Sequence, residues 1–178
     1  MNRPRDIQDE PQLRAAVRRL DGAMTRITDI FAFAGMAALI GAIAVVVIDI
    51  VWRRIGGQSF IGAVDLTQFC VMAAASWAIP HAFSTGAHVT VDLFGKKHFR
   101  AFFTVIDALI PLTGAALMAF LFYLSWERAM EQLAYGDVSQ NLAIPMILFW
   151  VFLLSGLALS GLVCFVKFLK FIFTGETI

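Results

Sequence analysis

Charged residues are distributed in blocks along this chain. No Asp, Glu, Lys or Arg occurs within residues 30–48, 66–91, 108–126 or 138–166. Each run reaches or exceeds the roughly 18 apolar residues that read as a membrane-crossing helix. In hydrocarbon, every backbone amide must be satisfied inside its own segment, so continuous apolar runs of this length become helices. Barrel strands would instead be short and alternating. The pattern predicts an all-α integral membrane protein with four transmembrane helices, at about 28–52, 63–84, 101–126 and 142–170.

The boundaries carry recognisable signals. Gly56-Gly57 marks a turn after the first span. Gly136 stands as a C-terminal stop for a helix that continues past Trp126 through Met130 and Leu133. Asn141 is placed to cap the fourth span, with Pro145 in its first turn. Spans three and four exceed the hydrocarbon thickness, so they tilt or protrude. Span one is rich in Ala and Gly, and span two has Ala73-Ala74-Ala75-Ser76 at its centre. Small residues of this kind let helices approach closely in lipid.

Residues 1–24 form a polar leader, 25–173 the transmembrane domain and 174–178 a tail. Within the leader, Leu13, Ala16, Val17, Leu20, Met24 and Ile27 follow a helical stripe, with Arg14, Arg18, Asp21 and Arg26 largely opposite. Two readings satisfy that stripe: an N-terminal amphipathic helix in the interface plane, or a continuation of span one beyond the membrane. The long polar leader and the length of the first apolar run separate it from a cleaved signal peptide.

Composition agrees with the pattern. Hydrophobic residues make up 60% of the chain and charged residues 15%, against about 45–50% and 25% in soluble domains. The net charge of +1 gives no basis for nucleic-acid binding. The placement of the cations is more informative. Arg3, Arg5, Arg14, Arg18, Arg19, Arg26, Lys96, Lys97, Arg100, Lys167 and Lys170 fall on the side of the leader, the middle connection and the tail, leaving Arg53, Arg54 and Arg128 opposite. The positive-inside rule then puts both termini in the cytoplasm, N-in and C-in, with Trp52, Tyr123 and Trp126 near the outer interface. Cys70 and Cys164 fall towards opposite ends of the bundle, too far apart for a disulfide.

Charges at membrane depth are the candidates for function. Asp49 precedes Arg53 by one helical turn, a spacing suited to an ion pair. With Arg54 and Asp65 they form a charged group at the outer rim, either a partner contact or a helical-hairpin cap. Asp107 lies about 10 Å inside span three, level with His81 in span two, which predicts a structural Asp107–His81 hydrogen bond. His81 and His88 share one helix face, whereas axial haem ligands come from facing helices, so no cofactor is expected. His88 and Asp92 have ligand spacing, but no third or fourth ligand accompanies them for zinc. No nucleophile–base motif or phosphate loop occurs, which argues against an enzyme. Paired broken helices around a midplane site, the mark of a complete carrier, are also missing.

Two stretches resemble a known family. Trp52-Arg53-Arg54-Ile55-Gly56-Gly57 leads to Gly62-Ala63-Val64-Asp65-Leu66, and span two runs into Gly86-Ala87-His88-Val89-Thr90-Val91-Asp92. Gly136-Asp137-Val138-Ser139-Gln140-Asn141 then precedes span four. Their order and four-span frame resemble the small membrane subunit of TRAP (tripartite ATP-independent periplasmic) transporters, over roughly residues 25–170. Where that family often has Glu at the start of span two, this chain has Asp65, the same charge on a shorter arm. The resemblance implies an accessory subunit in a bacterial inner membrane. Its partners would be a large membrane subunit carrying the sodium and substrate sites, and a periplasmic binding protein that delivers an organic anion, often a carboxylate, for symport. Arg53, Arg54, Asp65 and Asp137 would be partner-contact candidates; Asp49, His81, His88, Asp92 and Asp107 would be structural polar groups. Three other readings remain at this point: a haem-bearing membrane anchor of a quinone-linked oxidoreductase, the small subunit of another tripartite carboxylate carrier, and an autonomous small channel or carrier.

Overall fold

A computed structural model describes the backbone of residues 6–58, 61–85 and 100–174, and the side chains of 15–58, 61–85 and 109–172. His88 and Asp92 lie outside the described residues, and Asp107 lies on a described helix without a described side chain.

Four helices are present: α1 (Asp6–Gly56), α2 (Ala63–Ser84), α3 (Arg100–Tyr135) and α4 (Ile147–Thr174). Each contains a segment long and apolar enough to cross a membrane. The expected span 63–84 coincides with α2. Helix α1, at 51 residues, is about 76 Å long, more than twice the roughly 30 Å hydrocarbon thickness. The leader therefore continues span one without a break, the second of the two readings above. α1 packs on α2, α2 on α4 and α3 on α4, and α1 also touches α4. The N-terminal part of α1 and the C-terminal ends of α2 and α4 meet at one end of the bundle, here called the terminal end. The end of α1, the start of α2 and the α3–α4 connection form the opposite, distal end.

The leader's buried stripe differs from the apolar one expected. Leu20 and Ile27 are exposed. The inward line is Val17, Asp21, Met24, Thr28, Phe31, Gly35, Ala38, Ala42, Val45 and Asp49, all buried or half-buried. These positions alternate by three and four, a heptad seam of the kind that packs helices in a left-handed sense. One of its two rows, Asp21, Thr28, Gly35, Ala42 and Asp49, is small or polar, and at Gly35 α1 closes tightly on α2. A methyl on Gly35 would stand 3.2 Å from the Ala74 carbonyl oxygen. In a lipid-facing helix every face is apolar, so small size rather than hydrophobicity marks the seam.

α2 meets α4 through a specific backbone approach. Pro80 is fully buried inside α2 and has no N–H, so the carbonyl of Ser76, four residues earlier, lacks its helical donor. Gly156 of α4 packs directly against that carbonyl, and an added Cβ would overlap the Ser76 oxygen. The glycine hydrogen in that position instead points at the oxygen, a Cα–H···O contact. Around it, Trp77 Nε1 donates to Ser155 Oγ at 3.1 Å, Ser160 Oγ donates to the Gly156 carbonyl at 2.7 Å, and Trp77 meets Phe31 and Phe152 edge to face. Phe69 likewise meets Phe149 and Phe152 edge to face. Both cysteines are free: Cys164 is buried beside Gly114, and Cys70 lies near Gly41.

Candidate partner-binding rim

At the distal end, α1 stops where Gly57 takes a left-handed φ of 70° and its N–H bonds to the Arg53 carbonyl at 3.0 Å. One turn inside, Asp49 accepts from Arg53 at 2.7 Å. Asp49 is 8% exposed, while the Arg53 side chain is 61% exposed. Arg54 is exposed as well. The expected Asp49–Arg53 pair is therefore present, with its cation facing outward.

Asp65 belongs to a different construction. It is 3% exposed in the first turn of α2. Its Oδ2 accepts the backbone N–H groups of Asn141 at 3.0 Å and Leu142 at 2.8 Å, and Oδ1 accepts Asn141 Nδ2 at 3.3 Å. The carboxylate thus faces the positive end of its own helix and ties down the α3–α4 connection. Ser139, also buried, lies beside it without completing an aligned hydrogen bond. Gly62 makes this approach possible. It sits at φ 92°, and a Cβ there would come within 2.5 Å of the Leu142 side chain.

That connection is a compact turn. Gly136 (φ 69°) ends α3, as expected. Its N–H bonds to Leu133 and the Asp137 N–H to Gln132, both at 3.2 Å, forming a Schellman cap. Ser139 N–H to Ile144 O at 2.8 Å and Met146 N–H to Asp137 O at 3.0 Å close a short hairpin. Trp150 Nε1 donates to Gln132 Oε1 at 2.6 Å, joining the start of α4 to the end of α3. Asn141 is therefore not the cap of span four. α4 begins at Ile147, because the Asn141 amides are drawn to Asp65, and Pro145 lies in the hairpin before the helix. Asp137 is exposed on the rim.

The terminal end carries polar contacts that periodicity did not single out. Thr28, fully buried, donates to Ser84 Oγ at 2.9 Å. His81 Nδ1 lies 3.2 Å from Asp29 Oδ1, shielded from solvent but not aligned as a hydrogen bond. His81 thus faces Asp29 of α1 through this nitrogen; the expected Asp107 partner falls outside the described side chains. Asp29 had one available signal: it is the last charge before the run 30–48. Lys170 of α4 donates to Asp21 of α1 at 2.7 Å.

Among the described residues no group of three or more His, Cys, Asp or Glu is placed to hold a metal ion. Several described polar side chains join helix to helix or connection to helix, within an all-helical bundle whose four helices can each cross a membrane. That arrangement defines a multi-pass membrane protein. The chain belongs to the family described as tripartite ATP-independent periplasmic transporters, DctQ component, whose match covers residues 42–174. This is the small membrane component of TRAP transporters. No curated protein and no solved structure matches the chain.

Proposed function

We propose that the protein is the scaffold subunit of a TRAP-type secondary transporter. It supports a large sodium-coupled membrane subunit in uptake of an organic anion, a carboxylate by class, delivered by a periplasmic binding protein. The observation that carries this reading is the family match over residues 42–174. On the positive-inside rule the terminal end, with both termini, is cytoplasmic and the distal rim faces the periplasm of an inner membrane. The exposed rim charges Arg53, Arg54 and Asp137 then contact partners directly. Asp65 acts through the hairpin it holds, and Asp49 by orienting Arg53. His81, His88, Asp92 and Asp107 serve as structural polar groups.

In this reading the chain moves no substrate by itself. Reconstitution into proteoliposomes tests it: sodium-dependent uptake of carboxylate is expected only when the large subunit and the binding protein are both added. Uptake by this chain alone would overturn the proposal.

A further inference from the structure

The terminal end holds a charge imbalance at a defined depth. Asp21 on α1 bonds Lys170 of α4 at 2.7 Å, and Lys167 precedes Lys170 by three residues on the same helix, so the two ammonium groups are neighbours on one face. Among the described residues of this group, Lys167 and Lys170 face the single carboxylate of Asp21, which leaves one positive charge over. Lys170 is held by the bond. Lys167 is half-buried between the helices and makes no hydrogen bond among the described residues. A half-buried ammonium without a full counter-charge favours an anionic neighbour.

The bilayer level of Lys167 follows from two helices. The segment from Asp29 to Asp49 rises about 30 Å, the hydrocarbon thickness. On α4, Lys167 is the first charge after the run 138–166. It therefore enters the headgroup layer, which is about 5–7 Å deep on each side. Lys170 lies about 4.5 Å further out, which lets it turn to Asp21 while Lys167 remains at phosphate level.

We propose that Lys167 binds the phosphate of an anionic phospholipid at the α1–α4 seam, and that Asp21 limits this site by holding Lys170 away from it. The placement on the inner leaflet rests on the orientation proposed above. The recognised chemistry is a net-negative phosphodiester headgroup such as phosphatidylglycerol. Basic sites between membrane helices on the cytoplasmic side suit such headgroups.

Native mass spectrometry on the full chain in mild detergent tests the site, with phosphatidylglycerol or phosphatidylethanolamine added. The wild type should retain phosphatidylglycerol in preference to the zwitterionic lipid. Lys167→Gln should weaken that retention about fivefold, the worth of one basic residue near an anionic surface. Lys167→Arg should keep it, and Asp21→Asn should strengthen it by freeing Lys170. The last two variants carry the test if Lys167→Gln does not fold. Equal retention of both lipids, an unchanged Lys167→Gln, a weakened Asp21→Asn, or displacement of the lipid by equimolar inorganic phosphate would each overturn the proposal. Failure of the transporter reading would show instead in the uptake assay and leave these lipid measurements standing.

Discussion

Replacing Gly156 with alanine puts a methyl group against the Ser76 backbone. The new Cβ would overlap the Ser76 carbonyl oxygen and stand 2.8 Å from its carbonyl carbon and 3.1 Å from its Cβ. These atoms belong to a helix backbone or its first side-chain atom, so no rotamer change relieves the clash. Ordinary contact begins at 3.4 Å, so α2 and α4 must separate by on the order of 0.6 Å or more. A gap of about 0.5–1 Å forfeits a quarter to a half of the dispersion well for each atom pair along the seam. The Trp77–Ser155 hydrogen bond and the Trp77–Phe152 ring contact span the same seam and lengthen with it. Overpacking of this kind costs about 1–3 kcal/mol. Thermal unfolding of the purified chain in detergent should show a lower midpoint for Gly156→Ala. Gly161→Ala is the control, because its new methyl would meet only Met118 Cβ at 3.7 Å, an ordinary contact. A Gly156→Ala midpoint equal to that of wild type would refute the close α2–α4 approach.

Three further outcomes are expected. Gly62→Ala should destabilise by about 1–2 kcal/mol from its left-handed backbone alone, with an added clash on Leu142 that Leu142→Ala relieves; thermal unfolding of the single and double variants separates the two parts. Asp65→Ala should release the α3–α4 hairpin and speed limited proteolysis near residues 137–146, whereas Asp65→Asn, which keeps an acceptor, should show a smaller effect. Arg53→Ala takes a partner from the buried Asp49 carboxylate and should lower stability by about 1–3 kcal/mol while reducing recovery of the transporter complex; a stability loss with full recovery would assign Arg53 to the fold alone.

The spans were legible because charge marks their edges. Asp29, Asp49, Asp65 and Lys167 bracket apolar runs of membrane length, and α2 begins beside Asp65 for that reason. Gly136 was legible too, since a glycine after a helical pattern supplies the left-handed cap. The packing seam was harder to read. Thr28, Gly35, Ala42 and Asp49 recur every seven residues, but the lipid-facing sides of α1 are at least as hydrophobic, so an apolar stripe in the leader pointed to Leu20 and Ile27 instead. Asn141 misled for another reason. Its capping tendency is local, while Asp65, distant in sequence, offers a carboxylate to both its backbone and side-chain amides. The Asp29–His81 approach likewise depends on how α1 and α2 are paired, which spacing within one helix does not encode. The rim shows the same division: Asp49–Arg53 is local and was read, whereas the Asp65 hairpin clasp is long-range and was not.

The most direct measurement is affinity purification of the tagged full chain from native membranes in mild detergent, with co-purifying proteins identified by mass spectrometry. Stoichiometric recovery of a large TRAP membrane subunit is expected, with no haem absorbance in the sample. Recovery of the chain without that subunit, or with a haem-bearing oxidoreductase in its place, would contradict its assignment as a transporter scaffold.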